Sequence, residues 1–168
     1  QAPNLAEDNP VKLQRFLGAL VDHVLYRAGQ QDTKADDLRV INDLVLHIYE
    51  LARAYPLRAA EHFVAKISLM QHNLMRGLAL GALDPNARTW PRLSELAFLR
   101  TCVLLWPTSD KWHAVATPMH LLMAQYLAHA RIRSLRDMAS GLYLCSLGSS
   151  AQRESRRIVP GARTAVFN

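Results

Sequence analysis

Apolar residues recur along this chain at spacings of three and four, the pattern of helices that each bury one face. Asn9-Pro10 reads as a cap followed by a first-position proline. Leu13, Phe16, Leu17, Leu20, Val21 and Val24 then form one stripe that runs to about Arg27. The polar stretch Gly29 to Lys34 ends it, and a second pattern opens near Asp36 with Leu38, Ile41, Leu44, Val45 and Ile48 on one face. That pattern stops at Tyr55, because a residue before proline is pushed out of the helical region. Pro56 opens a third helix, whose buried stripe is Ala60, Phe63, Val64, Ile67, Leu74 and Leu78 and whose end is weakened by Gly77 and Gly81. Asp84-Pro85-Asn86 is a turn, and Trp90-Pro91 leads into a fourth helix, Leu93 to Leu105. That helix is apolar on nearly every side, which predicts a central position among several neighbours.

A connector follows, from Trp106 to Thr117, that is too apolar for a freely solvated loop. Trp106, Trp112 and Val115 predict that it lies on the body of the protein, and Asp110 and His113 are placed to fix the corner through side-chain to backbone hydrogen bonds or to meet a partner. Thr117-Pro118 predicts a helix start, the hydroxyl capping and the proline taking the first helical position, with the helix running to about Ala130. A sixth helix starts at Ser134, where Asp137 stands in for the usual Glu of a capping box. No alternating strand pattern or hairpin turn interrupts the series, so the fold class is all-α. Six helices pairing as successive hairpins of roughly 45 to 50 residues predict an α-solenoid of the HEAT or armadillo kind, with an irregular helical bundle as the alternative. Residues 1–150 read as the helical-repeat domain and 151–168 as a basic C-terminal segment that packs on a partner.

Composition narrows the chemistry. The chain has 168 residues and a net charge of +6, which favours acidic surfaces such as nucleic acid. Arg131, Arg133 and Arg136 cluster at one helix junction, and Arg153, Arg156, Arg157 and Arg163 crowd the C-terminal segment. Arginine suits phosphate, so Arg131, Arg133, Arg153, Arg156, Arg157 and Arg163 are the candidate RNA contacts, with a solvated basic tail as the competing reading. No aromatic residues interleave with them, so base stacking on single strands is not indicated. Cys102 and Cys145 are too few for a disulfide framework or a cysteine zinc site. There is no Gly-rich phosphate loop, nucleophile elbow or His-Glu-x-x-His, and the seven histidines are scattered. The expectation is no enzyme, no cofactor, no metal and no membrane span. The chain opens on Gln1 rather than Met, which reads as an excerpt of something longer.

The connector also carries a resemblance. Pro107, Thr108, Ser109, Asp110, His113, Val115, Thr117, Pro118, Leu121, Leu122 and Met123 match the C-terminal region of the nucleolar protein fourteen family, in which Phe-Pro-Thr-Ser-Asp and His-Pro-Val precede Thr-Pro and a Leu- and Met-rich helix. Trp106 stands for the family's Phe, and Ala114 for its Pro. Asp137, Gly141-Leu142-Tyr143, Ser155-Arg156-Arg157 and Val159-Pro160 resemble the segments that follow, with Gly161 where the family has Glu.

The resemblance implies a non-catalytic scaffold subunit of the small-subunit processome in the nucleolus, supporting 18S ribosomal RNA maturation and 40S subunit biogenesis. It also implies partners: the nucleolar complex protein four family, the ribosomal pseudouridine N1-methyltransferase and other processome proteins, with precursor ribosomal RNA or U3 small nucleolar RNA nearby. Trp106, Asp110, Trp112, His113, Thr117 and Pro118 are then corner or partner-contact residues. The alternative function is a free-standing helical-repeat adaptor for an acidic protein, without RNA contact.

Overall fold

Six helices carry the chain: α1 (Leu5–Ala28), α2 (Ala35–Ala54), α3 (Pro56–Leu80), α4 (Leu93–Leu105), α5 (Ala116–His129) and α6 (Leu135–Ser155). In this computed structural model the described residues are 5–30, 35–81, 83–84, 86–106 and 113–155, and they contain no strand. α1 starts four residues before the expected cap at Asn9. Leu5 and Ala6 are good helix formers, so the first turn forms ahead of Pro10.

The buried line of α1 is Leu17, Val21, Val24 and Ala28, and Phe16 is not on it but 53% exposed. One step along a helix turns the side chain by about 100°, so a stripe centred on Leu17 carries its neighbour to the solvent side. α2 buries Ile41, Val45, Ile48 and Ala52, and α3 buries Ala59, Phe63, Ile67, Met70, Leu74 and Gly77. Ala60, Val64 and Leu78, expected in the stripe of α3, flank it half-buried.

α4 has the central place its composition predicted, packing on α1, α2, α5 and α6. It touches α3 through Phe98, which stacks on Phe63 with ring centroids 5.2 Å apart. Among the described residues, α1, α3 and α5 neighbour one another in order, and so do α2, α4 and α6. α4 makes its most extensive contacts with α1, and α3 and α4 do not pack as a close hairpin.

α6 continues through Gly148 to Ser155 and buries Leu144, Leu147 and Ala151.

Candidate functional site

Two surfaces bear on function: the corner between α4 and α5, and the junction where the α3–α4 loop meets the start of α6. At the corner, Trp106 caps α4 with its N–H on the Cys102 carbonyl at 3.0 Å, and its ring meets Phe63 edge-on, centroids 4.4 Å apart. Asp110 and Trp112 lie outside the described residues. The chain is described again at His113, whose Nδ1 accepts the backbone N–H of Val115 at 3.2 Å and of Ala116 at 3.3 Å. In return, Thr117 Oγ1 accepts the N–H of His113 at 3.2 Å. The His113 ring thus takes up two N–H groups at the start of α5, while the Thr117 hydroxyl takes up that of His113 and the Thr117 N–H reaches the His113 carbonyl at 3.1 Å.

This corrects the expected start of α5. Thr117 and Pro118 are its second and third residues, not cap and first residue. His113 supplies acceptors to the N–H groups that open the helix, so α5 begins at Ala116. Pro118 costs little there, because first-turn N–H groups have no partner within the helix.

At the junction, α3 ends in Gly81 and the loop turns on Asp84, whose carboxylate accepts the N–H of Asn86 at 2.8 Å. The loop then runs back across α3, where a Cβ on Gly77 would lie 2.1 Å from the Arg88 carbonyl oxygen. Only glycine leaves room for that crossing. Beyond it, Thr89 and Trp90 are buried. The Trp90 indole donates to the Arg131 carbonyl at 2.7 Å, and Thr89 Oγ1 accepts the Arg131 N–H at 3.1 Å. Trp90 also rests on Gly141 of α6, where a Cβ would come within 3.1 Å of the ring.

The arginines now separate by what they touch. The Arg131 guanidinium donates to the Gly81 carbonyl at 2.7 Å and that of Arg133 to the Ala87 carbonyl at 2.9 Å, so both latch the junction to the α3–α4 loop. Arg136 instead shares a small cavity of about 110 Å³ with Arg88 and Arg92, lined also by Trp90, Asp137 and Ser140. A second cavity of about 450 Å³ adjoins it, with Arg88, Trp90 and Arg92 common to both and Arg76, Asp84 and Glu95 also among its lining residues. Arg153 lies on α6, its side chain outside the described residues, as are Arg156, Arg157 and Arg163 entirely. Reading the sequence alone missed Arg88 and Arg92, which lie some 45 residues from Arg136 and line one cavity with it.

A third feature is apolar. Leu135, Met138 and Leu142 follow one another along α6 at helical spacing, and all are exposed, Leu135 at 83%. A groove of about 500 Å³ between α1, α2, α4 and α6 is lined by Ala28, Ile41, Leu93, Leu96, Ala97 and Tyr143, with Asn42 and Arg100.

Burial pushes the Cys102 thiol well above its ordinary range and raises that of Cys145, which keeps both protonated and poorly nucleophilic. Burial also raises the phenols of Tyr126 and Tyr143. Among the described residues, no three His, Cys, Asp or Glu side chains come together to hold a metal ion, and no helix is long and apolar enough to cross a membrane.

The chain matches the model of the Nop14-like family over residues 1–168. It is 33% identical over 159 residues to nucleolar protein 14 of Mus musculus, an alignment covering 94% of this chain and 18% of that protein. Against nucleolar protein 14 of Homo sapiens it is 33% identical over 158 residues, with the same coverage of 94% and 18%. Against nucleolar complex protein 14 of Saccharomyces cerevisiae it is 30% identical over 160 residues, covering 94% of this chain and 19% of that one. The chain thus spans less than a fifth of the length of these curated relatives and aligns with their C-terminal region.

Proposed function

The chain belongs to the Nop14-like family, and from that membership we propose that it is a non-catalytic scaffold section of the small-subunit processome, supporting 18S ribosomal RNA maturation and 40S subunit production. It is a nucleolar protein, as its relatives are. The observation that carries the reading is the family match along the whole chain. The geometry is in keeping with it. Thiols held protonated by burial suit a scaffold rather than a catalyst, and the order in which the helices neighbour one another suits a section of an α-solenoid, a form that offers long surfaces to partners.

Protein partners in this reading are the nucleolar complex protein four family and the ribosomal pseudouridine N1-methyltransferase, with precursor RNA or U3 small nucleolar RNA nearby. The basic segment 151–168 and the corner residues Asp110 and Trp112 are assigned to partner contact in this reading. The stripe of Leu135, Met138 and Leu142 is the surface assigned to a partner helix, since exposed apolar residues in a row mark interaction sites.

Co-elution with a purified nucleolar complex protein four homologue tests this. Leu135→Glu with Leu142→Glu is expected to abolish co-elution while leaving the melting temperature within a degree or two, because both side chains are exposed and exposed substitutions change stability by roughly 0.5 kcal/mol or less. Undiminished co-elution of the variant would remove α6 from the interface, and no co-elution of the parent chain would remove this partner.

A further inference from the structure

We propose that the notch between the α3–α4 loop and the first turn of α6 binds the phosphodiester backbone of RNA, gripped by Arg88, Arg92 and Arg136. The notch brings three arginines from two separate segments to one cavity of about 110 Å³, with Asp137 the one carboxylate among its lining residues. That is too small for a helix or strand and on the scale of a single phosphate group. Arg88 and Arg92 also line the adjoining cavity with Arg76, so the basic surface continues past the notch as a track rather than a closed pit.

Carboxylates are present, and what they touch matters. Asp84 accepts the N–H of Asn86 at 2.8 Å, Glu95 that of Arg92 at 2.6 Å, and Asp137 that of Arg133 at 2.9 Å. Each is occupied with the backbone of its own turn. Among the described residues, no carboxylate pairs with the guanidinium of Arg76, Arg88, Arg92 or Arg136. Four arginines with no acid partner beside two rigidly latched loops are placed for an external anion, and the planar guanidinium matches the two non-bridging oxygens of a phosphodiester. The loops are held by buried Trp90 and by the Arg131 and Arg133 donations, so the grip is formed before the ligand arrives.

The one large aromatic at the notch, Trp90, is buried and its N–H is already used, so bases have nothing exposed to stack on. The contact is therefore with backbone and reads little sequence. The ribosome-biogenesis reading supplies only the choice of RNA as the polyanion; the site itself stands on the arginine geometry.

The test is a salt titration of the 168-residue chain with two fluorescent RNA hairpins of unrelated sequence, and with a polyglutamate peptide as a second polyanion. Replacing Arg88, Arg92 and Arg136 together by Gln is expected to make the slope of log affinity against log salt shallower by roughly 0.7 to 0.9, the contribution of the one phosphate the notch holds. The corresponding Lys variant keeps most of the slope, because the slope counts charges. Arg88→Gln alone removes about a third of the change, which keeps the test open if the triple variant folds poorly. Equal slopes for parent and triple Gln variant overturn the proposal. So does polyglutamate binding as tightly as RNA through the same arginines, or a strong preference between the two hairpins. None of these outcomes touches the scaffold reading, which stands or falls on partner association and 18S ribosomal RNA.

Discussion

At the scale of single residues, His62 shows how burial sets a pH response. It lies half-buried on α3 beside Phe63, with ring centroids 6.2 Å apart, and its Nε2 is buried without a hydrogen-bond partner. Desolvation lowers its pKa from the ordinary 6.5, nearby Lys66 lowers it further, and Asp22, paired with Lys66, opposes them. The folded state thus binds this proton less readily than the unfolded chain does. Stability attributable to His62 is therefore complete above about pH 6.5 and is lost as pH falls from there through the lower, folded-state pKa. His62→Leu is expected to flatten the fall in melting temperature below pH 6.5 without lowering it at pH 8, because an unpaired buried nitrogen is removed. A pH profile identical to the parent's would show that other groups set the acid response. The histidine was legible in the sequence only as one of seven scattered ones. Its burial against Gly18 and Phe63 depends on how α1 crosses α3, which no local pattern encodes.

At the scale of elements, periodicity found all six helices and missed what fastens them. The start of α6 could be read from Ser134 and Asp137, and Ser134 Oγ does accept the Asp137 N–H at 3.1 Å. The start of α5 could not, because histidine is not a usual cap and His113 works only through the turn that carries it. Gly77 and Gly81 read as flaws at the end of α3, yet Gly77 is where the α3–α4 loop crosses. Gly77→Ala discriminates between these readings by sign. A helical glycine with open space gains about 1 kcal/mol on becoming alanine. Here the added Cβ meets the Arg88 carbonyl, and the expected result is a loss of about 2 to 3 kcal/mol, or several degrees of melting temperature. A rise in thermal stability would mean that the loop yields without cost. Because the same loop carries Thr89 and Trp90, the variant is also expected to loosen the latch on Arg131.

At the scale of the molecule, fold class and the central place of α4 could be read from residue patterns, because both follow from which residues avoid water. The relation between the two loops could not. Arg131 and Arg133 stood out in sequence as a basic cluster, and each, while exposed, donates to a carbonyl oxygen of the α3–α4 loop; Arg88 and Arg92, which looked isolated, line the notch with Arg136. Charge in sequence gives composition; which charges share a site is decided by how segments some 50 residues apart are joined.

The central claim is that this stretch serves small-subunit ribosome production as a surface and not as a catalyst. In cells depleted of the parent protein, resupply with a form carrying both the α6 substitutions and the notch substitutions is expected to restore nucleolar localisation and protein level but not 18S ribosomal RNA, with large-subunit RNA unchanged. Full recovery of 18S ribosomal RNA by that form would contradict the account, since both proposed surfaces would then be dispensable.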